Sequence, residues 1–150
     1  MKAIYRRRLE KLAEHLLHGE LGHQEFDFSC YNMGPLDIRG CGTSGCAIGE
    51  CPIVFPKEWA FLRGPADHVY PLLINPPDLP VLTTKDNQTE FNAMVFFGIT
   101  HWECIYLFFP SSVSAPWNAK GLSETATRKE VARGILNFLK FKTKQEGEND

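Results

Sequence analysis

THWECIYLFFP, Thr100 to Pro110, is the stretch on which the fold turns. Thr100 followed by Glu103 is the T-x-x-E capping box that opens a helix by satisfying its orphan backbone donors, and Pro110 stops it. Trp102, Ile105 and Phe109 are expected to form the inner face. Cys104, Tyr106, Leu107 and Phe108 fill most of the rest, so the helix is apolar nearly all round. Such a helix is either buried or sits at a partner interface.

Working outward, Thr127 and Glu130 repeat the capping box, and Val131, Ala132, Ile135, Leu136, Phe138 and Leu139 trace a long closing helix. Upstream, Phe91, Met94 and Val95 give a short helix ending at Gly98. At the N-terminus, Leu9, Leu12, Ala13, Leu16 and Leu17 follow i, i+3, i+4 spacing up to Gly19. His15 and His18 fall in the last turn, where imidazolium suits the helix dipole. Pro56 is placed to begin a helix over Lys57 to Leu62. Prolines at 65, 71, 76, 77 and 80 make residues 65–90 an irregular surface excursion. Phe26, Phe28 and Cys30 alternate with polar residues ahead of the Asn32-Met33-Gly34-Pro35 turn signal, which predicts one small β-hairpin near 26–40. The expected fold is therefore mainly α: a single domain, 1–142, of about five short helices with long irregular loops and one small hairpin. Residues 143–150 read as a disordered tail.

The 150 residues, 43% hydrophobic, suffice for one core without staples. No apolar run of membrane-spanning length and no leader pattern is present, so a cytoplasmic protein with no membrane role is expected. The five cysteines are then expected as reduced thiols.

Three of those cysteines lie in CGTSGCAIGEC, Cys41 to Cys51. Thr43 and Ser44 can cap a short helix starting near Gly45-Cys46-Ala47-Ile48, and a thiol at its positive end would be a nucleophile, Cys41 or Cys46, with His101, His68 or His23 as base. That would make a cysteine hydrolase or transferase. Alternatively Cys41, Cys46 and Cys51, joined by Cys30, Cys104 or a histidine, could ligate zinc, although the x4, x4 spacing is not that of the usual knuckles. An oxidising compartment would instead allow a Cys41–Cys46 disulfide. The reading that accounts for most residues is packing: Gly42, Gly45, Cys46, Ala47 and Gly49 are all small and let a short element approach its neighbours closely. No cofactor is favoured on that view.

An opening amphipathic helix, Phe26-Asp27-Phe28, Cys41-Gly42-Thr43-x-x-Cys46-x-x-Gly49, Gly98-Ile99-Thr100 and a closing Thr127-Arg128-Lys129-Glu130-Val131-Ala132 follow one another in this chain. In this order it resembles a group of small uncharacterised bacterial and phage proteins with a C-G-T-x-x-C-x-x-G core motif. The resemblance implies no established activity.

Charge is segregated beneath a net −2. Arg6, Arg7 and Arg8 lie in a basic first helix, and Arg128, Lys129 and Arg133 in a basic last one, flanking an acidic middle. These six residues are the candidates for contacts to nucleic acid, against the simpler reading of solvated outer helix faces. With three Trp, four Tyr and eleven Phe, the chain has more aromatic residues than five short helices need inside. Trp59, Trp102 and Trp117 are accordingly the candidate contacts to a protein partner or a second copy of the chain. The favoured function is a non-catalytic binding or adaptor protein of phage-related type.

Overall fold

The computed structural model of the protein describes residues 1–22, 25–28, 44–63, 69–76, 78, 85–110 and 114–148. Helix α1 spans Ala3–His18 and β1 Glu25–Phe26; β2 covers Ser44–Gly45 and α2 Cys51–Val54. Strands β3 (Trp59–Arg63) and β4 (Val69–Leu73) lead to α3 (Lys85–Phe97), α4 (His101–Phe108) and α5 (Arg128–Gly147). The architecture is mainly α with one small antiparallel hairpin.

The long helices follow the predicted pattern. In α1, Leu9, Leu12, Ala13 and Leu16 are buried. In α5, Val131, Ala132, Ile135, Phe138 and Leu139 are buried, and the two helices pack on one another. They run antiparallel, because Arg128 at the start of α5 bonds the last carbonyls of α1, while Glu146 near its end pairs with the Met1 amino group and Arg6. Both capping boxes form with their threonine and glutamate bonds reciprocated. Helix α5 runs on through Gly147, past residue 142 where the sequence reading ends it, and that last stretch is held by contacts to the chain's first residues.

At the α3–α4 junction Gly98 has φ +60, and it closes α3 in a Schellman motif: the Ile99 N–H reaches Met94 O and the Gly98 N–H reaches Val95 O. A Cβ at Gly98 would lie 2.1 Å from the Tyr5 ring, so glycine is required there for space as well as conformation.

Between Pro56 and α3 the sequence expectation fails. The predicted helix over Lys57 to Leu62 is instead a turn and strand β3, paired antiparallel with β4 from Trp59↔Leu73 to Arg63↔Val69. Trp59 and Phe61 alternate with Ala60 and Leu62, a period of two that suits a half-buried strand. Strand β4 lies inside the supposed excursion, and α3 begins at Lys85 rather than at Phe91. The hairpin expected near 26–40 falls largely outside the described residues; what is described there is a two-residue parallel pairing of β1 with β2.

The core joins the inner faces of the helices to the hairpin. Trp59, Phe55, Phe96, Phe97 and Phe108 meet mostly edge to face, with centroids 4.9 Å apart for Phe55–Phe96 and 5.4 Å for Phe97–Phe108. This is the favoured geometry for aromatic quadrupoles.

Candidate partner-binding surface

Helix α4 divides its apolar residues between two faces. Cys104, Leu107 and Phe108, at i, i+3 and i+4, are buried. Trp102, expected on the inner face with Ile105 and Phe109, instead points outward and is 67% exposed, the most exposed large hydrophobic among the described residues. The reason is the phase of the helix: once the capping box fixes its start at His101, the 104/107/108 stripe meets α3 and α5, and Trp102 lies on the far side.

Trp102 does not stand alone. One turn on, Tyr106 stacks beside it, centroids 6.4 Å apart and planes 29° from parallel. Trp117 meets Tyr106 edge-on at 6.1 Å and in turn packs on Phe138 and Phe141 of α5. Trp117 is held by a tight turn in which Ala115 and Asn118 exchange both backbone hydrogen bonds, braced by Asn118 Nδ2 donating to Gly121 O. An aromatic run thus extends from exposed Trp102 to half-buried Trp117 on rigid supports.

One ion pair and one histidine–carboxylate contact border this run. Lys142 Nζ lies 2.5 Å from Glu103 Oε1, and His101 Nδ1 lies 2.6 Å from Glu90 Oε1. Burial alone would push the Glu103 carboxyl up. The hydrogen bonds from Lys142 and from the Thr100 N–H outweigh that, and hold it below the ordinary glutamate value. An apolar aromatic centre with a charged rim is the anatomy of a protein-recognition patch.

The other sequence candidates are placed as follows. Trp59 is 1% exposed, inside the core, and cannot touch a partner. Cys46, Cys51 and Cys104 are buried. Burial, reinforced by Cys46 and Glu50, raises Cys51, and burial beside Glu90 raises Cys104, so neither thiol is poised as a thiolate. Cys46 is only 2% exposed, which denies a substrate access to its sulfur. His101 is on the surface and engaged with Glu90. Cys30, Cys41, His23 and His68 lie outside the described residues, and among the described residues no group of three or more His, Cys, Asp or Glu is placed to hold a metal.

Of the basic set, Arg7, Lys129 and Arg133 face solvent. Arg6 pairs with Glu146, and Arg8 donates to Phe96 O at 2.7 Å while lying over the Phe96 ring. Arg128 donates through Nε to Leu16 O at 2.7 Å and through one terminal nitrogen to His15 O and Gly19 O. Three of the six are thus committed within the fold. No helix described here is long and apolar enough to cross a membrane.

Sequence reasoning missed three features. Tyr106 and Phe141 belong to the aromatic surface, and the i, i+4 spacing from Trp102 to Tyr106 was the available signal for the first. Glu50 is fully buried, its Oε2 accepting from the Gly22 N–H at 2.9 Å and lying 2.8 Å from His15 Nε2. Nothing in a Gly-Glu-Cys tripeptide announces a buried carboxylate.

No protein-family model, characterised protein or solved structure matches the chain.

Proposed function

We propose that the protein is a non-catalytic binding or adaptor protein that docks a protein partner, or a second copy of itself, on the Trp102–Tyr106–Trp117 surface. The observation that carries the reading is Trp102, left 67% exposed on a helix whose other side is packed into the core. Exposing an indole to water gives up the free energy its burial would supply, and tryptophan is among the residues that most often anchor interfaces. The Glu103–Lys142 and His101–Glu90 pairs supply a rim able to orient a partner without burying an unpaired charge. A phage-related origin accords with the resemblance of the Cys41–Gly49 motif, which itself implies no activity. The burial of Cys46, Cys51 and Cys104 supports a structural rather than a nucleophilic use of these thiols.

The test is site-specific photo-crosslinking in the source cells, with a benzophenone amino acid at position 102 and, as control, at exposed Lys120. The expected result is one discrete adduct from position 102 and none from position 120; its mass separates a foreign partner from a second copy. No adduct at 102, or the same ladder from both positions, would falsify the assignment.

A further inference from the structure

The β3–β4 hairpin is apolar on both faces apart from Arg63 and Tyr70 toward the turn. Trp59, Phe61, Pro71 and Leu73 alternate with Ala60, Leu62, Leu72 and Ile74, and the first set is turned toward the core. Leu62 and Ile74 on the second are 50% and 49% exposed. Where a polar outer face would be ordinary, apolar side chains instead border a cavity of about 390 Å³ that is closed on one side by Gln88 and Asn92 of α3.

Asn92 gives the cavity its chemistry. It is 1% exposed, and its Oδ1 accepts from the Leu73 N–H at 2.7 Å. That bond fixes the orientation of the amide, so Nδ2 is a donor by necessity, and this buried Nδ2 has no partner among the described residues. An unmade bond from a buried donor is costly, and a ligand acceptor would recover that loss. Gln88, one turn earlier on α3, adds a second polar group to the same wall.

We infer that the cavity between the hairpin and α3 binds a small, neutral, apolar molecule bearing a carbonyl acceptor, with the Asn92 side-chain amide as its donor. Its volume is that of a small-molecule site. A peptide strand is disfavoured on this edge, because the outward N–H of Leu73 is already taken by Asn92 and Pro71, on the same edge, has none. The described lining carries no cation, so burying a carboxylate there would be costly. The adjoining groove beyond Ile74 holds Lys57 and Arg8, but Arg8 already donates to Phe96 O.

The experiment is an NMR titration of the ¹⁵N-labelled protein with N-propylbenzamide, with butylbenzene as the probe lacking an acceptor and 4-phenylbutyrate as the anionic one. The expected result is saturable shifts of the Asn92 side-chain NH₂ pair and of the Leu62 and Ile74 amides, with the amide binding at least about tenfold tighter than either other probe. Asn92→Asp keeps an acceptor for the Leu73 N–H but removes the donor, and should weaken amide binding by at least about tenfold. If that variant fails to fold, Ala60→Phe, at an exposed position of the cavity wall, fills the space and should abolish binding. Equal binding of butylbenzene, preference for phenylbutyrate, or no saturable shift up to about 10 mM probe overturns the inference.

Discussion

The C-terminal end of α1 and the outer face of α4 treat their difficult groups in opposite ways. At the first, each polar group that folding takes from water is given a partner: Arg128 clasps the carbonyls of His15, Leu16 and Gly19, and buried Glu50 meets the Gly22 N–H and His15. At the second, an indole is left in water although the core it could have joined lies one helix-width away. The first arrangement is what stability requires, since a buried charge without partners is costly. Stability alone does not account for the second, which is why we propose α4 as the binding face.

The comparison breaks first, and most heavily, at Glu50. Glu50→Ala removes the acceptor for Gly22 and His15 and leaves a void, and is expected to lower unfolding free energy by roughly 2–4 kcal/mol in urea denaturation, with Glu50→Gln milder because it still accepts from the Gly22 N–H. Were Glu50→Ala neutral, the matched end would not be a source of stability. Arg128→Ala should follow at about 2–3 kcal/mol, and Arg128→Lys should recover little, because an ammonium cannot reach three carbonyls from a planar fork. Full recovery by lysine in the same denaturation series would reduce the clasp to simple charge.

Next in size is the α4 cap. Thr100→Ala should cost about 1 kcal/mol in thermal or urea melts. The Glu103 carboxyl is held below its ordinary value in the fold, so its contribution is complete above the unfolded glutamate pKa and is lost as pH falls through the lowered folded one. The stability difference between wild type and Glu103→Gln should therefore shrink on acidification below about pH 4.5; a difference unchanged down to pH 3 would contradict the Lys142 and Thr100 contacts. The smallest effect sharpens the contrast: Trp102→Ser should change stability by less than about 0.5 kcal/mol, because the side chain buries little in the fold. A loss comparable to that of Glu50→Ala would show Trp102 to be a core residue and remove the argument for a binding face.

The features legible in the sequence were those with local causes. Both capping boxes, the apolar stripes of α1 and α5 and the stop at Gly98 each depend on residues within a turn or two of one another, and each forms as read. The hairpin was not legible, because Pro56 signalled a helix over Lys57 to Leu62 and the prolines after residue 64 signalled irregular structure. The pairing that overrides them joins Trp59 to Leu73 across intervening residues. Pro71 is compatible with β4 only because it lies on the outer edge, where no partner strand asks for its N–H, and that is a fact of position in the sheet. The start of α3 was hidden for a related reason: Lys85 to Glu90 is polar, so no apolar stripe marks the extra turns.

For the candidate sites the division is similar. Composition alone pointed to surplus aromatics, yet it ranked Trp59, Trp102 and Trp117 alike; the structure buries the first, exposes the second and half-buries the third. Residue type likewise made Arg128 a surface cation, and tertiary position made it a cap for another helix.

What the sequence by itself determined is the helical class, the ends of α4, the start of α5 and the supply of aromatic side chains, because capping and amphipathic spacing act within a few residues. Which aromatic faces water, which cation is consumed inside and where the two strands meet were decided only by tertiary structure, because burial depends on what other segments bring to the same place.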